Sequence, residues 1–320
     1  MHRVVVSDAA PWPRIAVLGA GAVGGYFGAL LAHAGAPVIF IGRPAFVSAV
    51  SIRGLELDAL QLKTHVRVAA TSDINACRDA DLVLFCVKTV DTERAARALA
   101  PALSPLAQIA VLQNGVEGAA QVRSITARAT LATVVYVAAS MPEPGRIAHV
   151  GRGDLIVGPD DRQARAFAQL CERAAIGCRI SDNIRGEQWI KLLLNCALNA
   201  ASALARANYG HIVADPDGRA VVAQLVAEFM AVAAAERIEL PGIASAQEGL
   251  SAALRLASQM PAQRSSTAQD LERGRPTEID SLNGFIVRRA AVHGVAAPVN
   301  QALYALVKLL EANPKQPGKR

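Results

Sequence analysis

The feature that most constrains this sequence is a glycine-rich loop that directly follows a short apolar run near the N-terminus. Residues 15–18 are apolar, the run Gly19-Ala20-Gly21-Ala22-Val23-Gly24 follows them, and a stretch with helical spacing comes next. A strand, a G-x-G-x-x-G loop and a helix in this order are typical of dinucleotide-binding folds. The glycines allow a tight turn and the close approach of a pyrophosphate, which the first N–H groups of the helix bind. We therefore predict that the cofactor contacts Gly19, Ala20, Gly21, Ala22, Val23 and Gly24.

The same stretch has a second interpretation, as a membrane span or the core of a signal peptide. The 18 residues from 15 to 32 carry no charge, and this length is compatible with either segment. Five glycines among the ten positions 19–28, and the lack of a suitably placed cleavage site of small residues, argue against it. We therefore expect no membrane partner.

The composition describes a well-packed globular protein. The chain has 320 residues, enough for two domains with substantial cores, and 52% of them are hydrophobic. The net charge is +6, but the arginines are scattered and no basic run is interleaved with aromatic residues, so we expect no nucleic-acid partner. The five cysteines form no C-x-x-C pair and have no histidine at zinc spacing. We expect no metal site and a cytoplasmic, reducing location.

Hydrophobic patterning predicts the rest of an α/β domain. Near-continuous apolar runs, typical of parallel strands that are buried on both faces, occur at 37–41, 81–87 and 108–112. A helix is expected at 92–103. Shorter strands between proline and glycine turns are expected at 55–57, 65–68, 131–138, 146–150 and 154–157. A helix at 162–175 and a strand at 178–180 complete this domain.

From residue 184 onward the sequence shows only helical spacing. Alanine-rich segments with few β-branched runs predict helices at 187–207, 216–235, 244–259, 277–293 and 298–310. The predicted fold class is therefore α/β, an N-terminal Rossmann-like dinucleotide-binding domain followed by an all-α C-terminal domain. We place a loose leader at 1–13, the dinucleotide-binding domain at 14–182, the helical substrate domain at 183–312 and a frayed tail at 313–320.

Three polar residues follow the predicted parallel strands. Arg43 stands near the end of the second strand, where NAD-binding folds carry an acidic residue for the ribose 2′-hydroxyl. It therefore predicts NADP(H), with an ordinary surface arginine as the alternative. Lys88 and Asn114 follow the next two strands, and open α/β sheets bind their ligands at the carboxyl ends of strands. Both residues are therefore site candidates.

A polar stripe marks one of the predicted helices. Lys191, Asn195 and Asn199 are four residues apart and so share one helix face, while the residues between them are mostly apolar. Such a stripe is costly to bury unless it lines a wet cleft or pairs with neighbouring helices, and both interpretations stay open. In a cleft, the lysine would act as a general acid toward a carbonyl oxygen. The asparagines would donate hydrogen bonds to the substrate.

Several motifs together resemble the ketopantoate reductase family (2-dehydropantoate 2-reductase). They are G-A-G-A-V-G-G, I-G-R, V-K-T, Q-N-G, W-x-K-x-x-x-N-x-x-x-N and S-S-x-x-Q-D-x-x-x-G-R-x-T-E-I-D-x-x-N-G, and the resemblance runs from residue 14 to about residue 310. It implies that a 2-keto acid, 2-dehydropantoate, is reduced by NADPH to pantoate, a step of pantothenate biosynthesis on the coenzyme A pathway.

The resemblance also implies roles for individual residues. Lys191 would be the general acid, and Glu278 the acidic partner near the substrate hydroxyls and the cofactor. On local sequence alone, Glu278 better fits the start of a helix, where acidic residues are favoured. The implied substrate contacts are Asn114, Asn195, Asn199 and Ser266. Arg43 would bind the 2′-phosphate, and Lys88 and Asn114 would lie near the cofactor.

Two positions depart from the family pattern. Some members carry a further substrate-binding asparagine just before the glycine that matches Gly210, and this chain has Tyr209 there, after Asn208. The region near Thr130 lacks an expected glycine. Two alternatives therefore stay open: a paralogous NADP(H)-dependent 2-keto acid dehydrogenase with another substrate, and a catalytically silent NADP(H)-binding regulator. Relatives in the family are often dimeric, which implies a possible homodimer.

Overall fold

The computed structural model describes residues 11–313, so most of the predicted leader and tail lies outside the described residues. The strands are β1 (Ile15–Leu18), β2 (Val38–Ile41), β3 (Leu55–Ala59), β4 (Leu62–Val66), β5 (Ala69–Thr71), β6 (Leu82–Phe85), β7 (Gln108–Val111), β8 (Thr130–Glu143), β9 (Arg146–Gly158) and β10 (Cys178–Ile180). The helices of the N-terminal half are α1 (Ala22–His33), α2 (Pro44–Arg53), α3 (Thr92–Leu99), α4 (Gly118–Thr126) and α5 (Arg162–Arg173).

The C-terminal half is helical, as predicted. Its helices are α6 (Ile184–Ala205), α7 (Tyr209–Ala214), α8 (Pro216–Ala235), α9 (Ala246–Gln259), α10 (Ser266–Glu272), α11 (Asn283–His293) and α12 (Pro298–Ala312). Short 3₁₀ turns lie at Ile74–Cys77, Thr89–Asp91, Ala100–Ala102 and Ile279–Ser281.

All ten strands form a single sheet with a Rossmann-like parallel half. The strand order is β4-β3-β9-β8-β7-β6-β1-β2-β5, with β10 beside β9. The six strands from β5 to β8 run parallel, whereas β8 pairs with β9 in antiparallel register. The carboxyl ends of β1, β2, β6 and β7 therefore lie along one edge of the sheet, where such folds bind ligands.

Strand β9 differs from the prediction because pairing with β8 overrides a local turn signal. The segments predicted as separate strands at 146–150 and 154–157 are one strand, β9, which continues through Gly151-Arg152-Gly153. Arg152 adopts a left-handed φ of 48°, and register shifts interrupt the ladder at this point. The strand continues because the 14-residue β8 supplies hydrogen-bond partners on both sides of the bulge.

The helical core is built around α6. Trp189 of this helix contacts Phe229 of α8 and Phe285 of α11, with ring centroids 5.6 Å apart in both pairs. The other side of α6 packs against β8, α10 and α12. Since one helix contacts both the sheet and the remaining helices, its polar face is held at the junction of the two halves.

The predicted helix at 277–293 is wrong at its start. A 3₁₀ turn occupies Ile279–Ser281, and α11 begins only at Asn283. The Asn283 side chain is fully buried and donates to the Cys196 carbonyl oxygen at 3.1 Å and to Asn300 Oδ1 at 3.0 Å. These tertiary hydrogen bonds, absent from any local pattern, set where the helix begins.

Among the described residues, one helix, α8, is long and apolar enough to cross a membrane by length and composition alone. Its residues Val222, Leu225 and Phe229 are fully buried against neighbouring helices, so it packs as a core helix. The uncharged stretch 15–32 is divided between β1 and α1 and is not one continuous helix.

Candidate active site

The glycine loop has the geometry of a phosphate cradle. Gly19 has a φ of 97°, and a Cβ placed on it would lie 2.6 Å from the carbonyl carbon of Cys86. A Cβ on Gly24 would lie 2.4 Å from the Gly19 carbonyl oxygen. A Cβ on Gly21 would have no atom within 4 Å, so this position faces open space. The loop is thus packed tightly on the protein side and open on the ligand side.

The start of α1 offers hydrogen-bond donors to this open side. The Gly21 N–H donates to the Gly19 carbonyl oxygen, and the Gly25 N–H donates to the Gly21 carbonyl oxygen, both at 2.8 Å. Within residues 11–313, the N–H groups of Ala22, Val23 and Gly24 have no acceptor. Free N–H groups at a helix N-terminus favour an anion, so these residues fit the pyrophosphate of a dinucleotide.

Arg43 lies at the neighbouring strand end, immediately before α2. A Cβ placed on Gly42 would lie 3.0 Å from Ala20 Cβ, so Arg43 begins next to the glycine loop. Its side chain is exposed and, among the described residues, forms neither a hydrogen bond nor an ion pair. An arginine without a carboxylate partner beside a phosphate cradle suits the binding of a further phosphate.

Lys191 projects from α6 toward β8. Its Nζ donates to the Val135 carbonyl oxygen at 2.5 Å and lies 5.8 Å from the centroid of the Tyr136 ring. Burial lowers the pKa of Lys191 to about 8, the carboxylate of Glu278 opposes this shift, and Arg152 adds to it. A lysine that can release its proton near neutral pH has the property that a general acid requires.

Glu278 does not cap the turn that follows it. Its Oε1 accepts from the Thr89 N–H at 3.0 Å, its Oε2 accepts from Asn114 Nδ2 at 2.7 Å, and it makes no capping hydrogen bond. The helical half thus places a carboxylate at the edge of the sheet, directly on a predicted site residue. Among the described residues Lys191 forms no ion pair with Glu278, but the charge of Glu278 favours the protonated lysine, which groups Lys191 with Glu278 and Asn114 as one candidate site.

Lys88 is held by the helical half as well. Its Nζ lies 2.6 Å from Asp270 Oδ1 and donates to the Pro276 carbonyl oxygen at 3.0 Å. Burial raises the pKa of Asp270, although Lys88 opposes the shift. Residue-by-residue reasoning did not single out Asp270 as a site residue. Its only signal was its place in the S-S-x-x-Q-D motif.

The remaining predicted substrate contacts lie further along α6. Asn195 is half-buried, whereas Asn199 is 3% exposed and its Oδ1 accepts from the Tyr209 hydroxyl at 2.8 Å. Ser266 is exposed at the start of α10. The buried neighbour Ser265 caps α10 and donates to the Asn199 carbonyl oxygen at 3.0 Å, which joins α10 to α6. Sequence reasoning noted Tyr209 as a departure from the family pattern, but it did not predict that Tyr209 and Ser265 bond to Asn199.

In residues 11–313, no group of three or more histidine, cysteine or acidic side chains could hold a metal ion. All five cysteines are free thiols.

A sheet with a Rossmann-like parallel half and an open glycine cradle, joined to a helical half that supplies a lysine whose pKa burial lowers, defines a two-domain dinucleotide-binding oxidoreductase. Comparison with known proteins makes the assignment specific. The family model described as "Ketopantoate reductase PanE/ApbA" matches residues 15–162, and the corresponding C-terminal model matches residues 183–311. The chain belongs to the ketopantoate reductase family.

Individual relatives match this chain along nearly its full length. A 2-dehydropantoate 2-reductase of Halobacterium salinarum is 32% identical over 305 residues, covering 93% of this chain and 99% of the relative. The crystal structure of a family member from Ralstonia eutropha is 44% identical and covers 95% of this chain and all of that chain, with a TM-score of 0.89. A D-mandelate dehydrogenase solved with NADH and anilino(oxo)acetate shares the fold, with a TM-score of 0.86 at 24% identity over 94% of this chain and 98% of that chain.

Proposed function

We propose that this protein catalyses the NADPH-dependent reduction of 2-dehydropantoate to pantoate. The names of its relatives support this substrate, and the observation that carries the chemistry is Lys191, a buried amine on α6 that reaches β8 and whose protonated form the charge of Glu278 favours. A lysine with a pKa of about 8 and a carboxylate that favours its protonated form together make a proton donor. The proposal covers the catalytic roles of Lys191 and Glu278 and the substrate contacts Asn114, Asn195, Asn199 and Ser266.

Residues of both halves perform the reaction in this proposal. Bound NADPH supplies the hydride that adds to the keto carbon. Lys191 donates its proton to the keto oxygen, so that C=O becomes CH–OH and the lysine is left neutral. The ammonium also stabilises the negative charge that develops on that oxygen. Glu278 accepts hydrogen bonds from Asn114 and Thr89, which hold its carboxylate at the sheet edge, and its negative charge favours the protonated form of Lys191.

Tyr209 supports one alternative substrate assignment. Its hydroxyl donates to Asn199 Oδ1, and its ring is buried at the position where some family members have an asparagine. A bulky ring here suits a paralogue that reduces another 2-keto acid. A silent regulator would bind NADPH without turnover. Rates with a panel of 2-keto acids, each with NADPH and NADH, separate these three functions: the proposal fails if 2-dehydropantoate is not the preferred substrate.

We also propose the cytoplasmic location and the homodimer that the sequence analysis predicted. The five free thiols support a reducing compartment. Sedimentation of the purified protein at several concentrations measures the oligomeric state.

For the cofactor, we expect Arg43→Ala to raise the KM for NADPH by about 10- to 100-fold, because a charge-assisted hydrogen bond contributes about 1.5–3 kcal/mol. The KM for NADH should change little, since NADH has no 2′-phosphate. Arg53→Ala is the matched control, because Arg53 is an exposed arginine at the other end of α2. Equal effects of Arg43→Ala on both cofactors would contradict the assignment of NADP(H).

For the pH dependence, we expect kcat/KM to fall as the pH rises through about 8. The pKa of Lys191 is lowered by burial, so the ammonium form that donates the proton is lost at lower pH than for an ordinary lysine. A pH profile of kcat/KM measures this descending limb, and Lys191→Ala should lack it. Constant kcat/KM from about pH 7 to about pH 9 would contradict a general-acid lysine.

A further inference from the structure

The segment that carries Glu278 is anchored on both sides to the last helix, α12. Before Glu278, Thr277 is 1% exposed and donates twice to Glu311 Oε1, from its N–H at 2.7 Å and from its hydroxyl at 2.6 Å. After Glu278, Asp280 Oδ1 accepts from the Tyr304 hydroxyl at 2.7 Å, and Asp280 Oδ2 accepts from Lys308 Nζ at 2.9 Å.

The two anchors are joined to each other. Lys308 Nζ lies 2.8 Å from Glu311 Oε2, so one ammonium bridges the carboxylates of Asp280 and Glu311. Burial alone would raise the pKa of Glu311, but hydrogen bonds from Lys308 and Thr277 lower it, which keeps the carboxylate charged. Since Tyr304, Lys308 and Glu311 are four and three residues apart, they lie on one face of α12.

Among the described residues, the Glu278 side chain forms no hydrogen bond or ion pair with this network and bonds instead to the sheet half. Its carboxylate accepts from Thr89 and Asn114 of the sheet half, while the residues on either side of it are held by α12. A 3₁₀ turn follows Glu278, and short turns of this kind have little stability of their own. The position of the carboxylate therefore depends on what holds its flanks.

We propose that Glu311 and Lys308 are positioning residues, which hold the Glu278 carboxylate at the sheet edge by clamping Thr277 and Asp280. This inference rests on the proposed function, which assigns Glu278 its catalytic role. The clamp would hold the Glu278 carboxylate in the same position with any 2-keto acid as substrate, so it can be tested without measuring turnover.

Amide hydrogen exchange of the full-length protein tests the clamp directly. The Thr89 N–H, which lies in the sheet half, donates to Glu278 Oε1 and reports on the position of that carboxylate. Losing a hydrogen bond to a carboxylate should raise the exchange rate of this amide by about tenfold. We expect this increase in Glu278→Ala and an increase of several-fold in Glu311→Ala. Adding Glu311→Ala to Glu278→Ala should give no further increase at Thr89.

Internal controls separate positioning from general loosening. The Ala164 N–H, which donates to Asp161 Oδ1 at 2.8 Å in the sheet half, should exchange as in the wild type. Leu309→Ala, at a 60% exposed position of α12, should leave Thr89 unchanged. If Glu311→Ala does not fold, Lys308→Met is the second variant, because it breaks the ion pairs to both carboxylates.

The outcomes distinguish this proposal from the proposed function. If Glu311→Ala speeds exchange at Thr277 but not at Thr89, α12 stabilises only its local segment and the positioning role is wrong. If the double variant exchanges faster at Thr89 than Glu278→Ala alone, the effect of Glu311 does not pass through Glu278, and the positioning role is again wrong. If the exchange results are as expected but the wild type does not reduce 2-dehydropantoate, only the proposed function fails.

Discussion

We expect Lys191→Ala to lower kcat by about 10²- to 10⁴-fold, because the variant loses both the proton donor and the positive charge beside the keto oxygen. The KM for NADPH should change far less, because the phosphate cradle and Arg43 follow β1 and β2, whereas Lys191 lies on α6. Steady-state kinetics with 2-dehydropantoate and NADPH measure both effects. Removing an amine whose charge is penalised by burial should not destabilise the fold, and thermal unfolding checks this.

Lys63→Ala is the matched control for this variant. Lys63 is 79% exposed on β4 and pairs with Asp58 at the surface, so its loss should leave kcat unchanged. If Lys191→Ala retained near-normal turnover while remaining folded, Lys191 would not be the general acid. The polar face of α6 would then be better explained by pairing with neighbouring elements.

The second large effect is expected for Glu278→Gln, which we predict to lower kcat/KM by about 10- to 100-fold. The amide keeps the shape of the carboxylate but offers one acceptor where Glu278 uses two oxygens. Its NH₂ group would therefore face either the Thr89 N–H or Asn114 Nδ2, donor against donor. Losing a charge-assisted hydrogen bond and leaving a donor unsatisfied costs about 1.5–3 kcal/mol, which corresponds to the predicted loss.

The same variant should also move the pH profile. Because the carboxylate of Glu278 raises the pKa of Lys191, its removal should shift the descending limb of kcat/KM to lower pH. A purely structural glutamate would reduce activity without this shift. Glu93→Gln, which removes an exposed carboxylate on α3 paired with Arg97, is the control and should change neither quantity. Unchanged kinetics in Glu278→Gln would return Glu278 to a structural role.

Local patterns predicted much of the fold. The strand β1, the glycine loop and α1 lie where the sequence placed them, and α8 spans the predicted 216–235. Helices α2, α4, α7 and α10 were not predicted. Each of them has fewer than 11 residues, too few for periodicity to stand out from a loop. Their existence depends on packing against the sheet or α6 rather than on their own pattern.

The sequence by itself determined which residues share one face of α6 and which residues form the glycine loop. Four-residue spacing places Lys191, Asn195 and Asn199 on one helix face wherever that helix packs, and the glycine spacing builds a phosphate cradle from adjacent residues. Only the tertiary structure decided the partners of those groups. Glu278 fits a helix start by local pattern, but its carboxylate contacts residues 164 and 189 positions earlier in the chain. Hydrogen bonds between groups so distant in sequence form only when the helical half docks on the sheet, so no local periodicity records them.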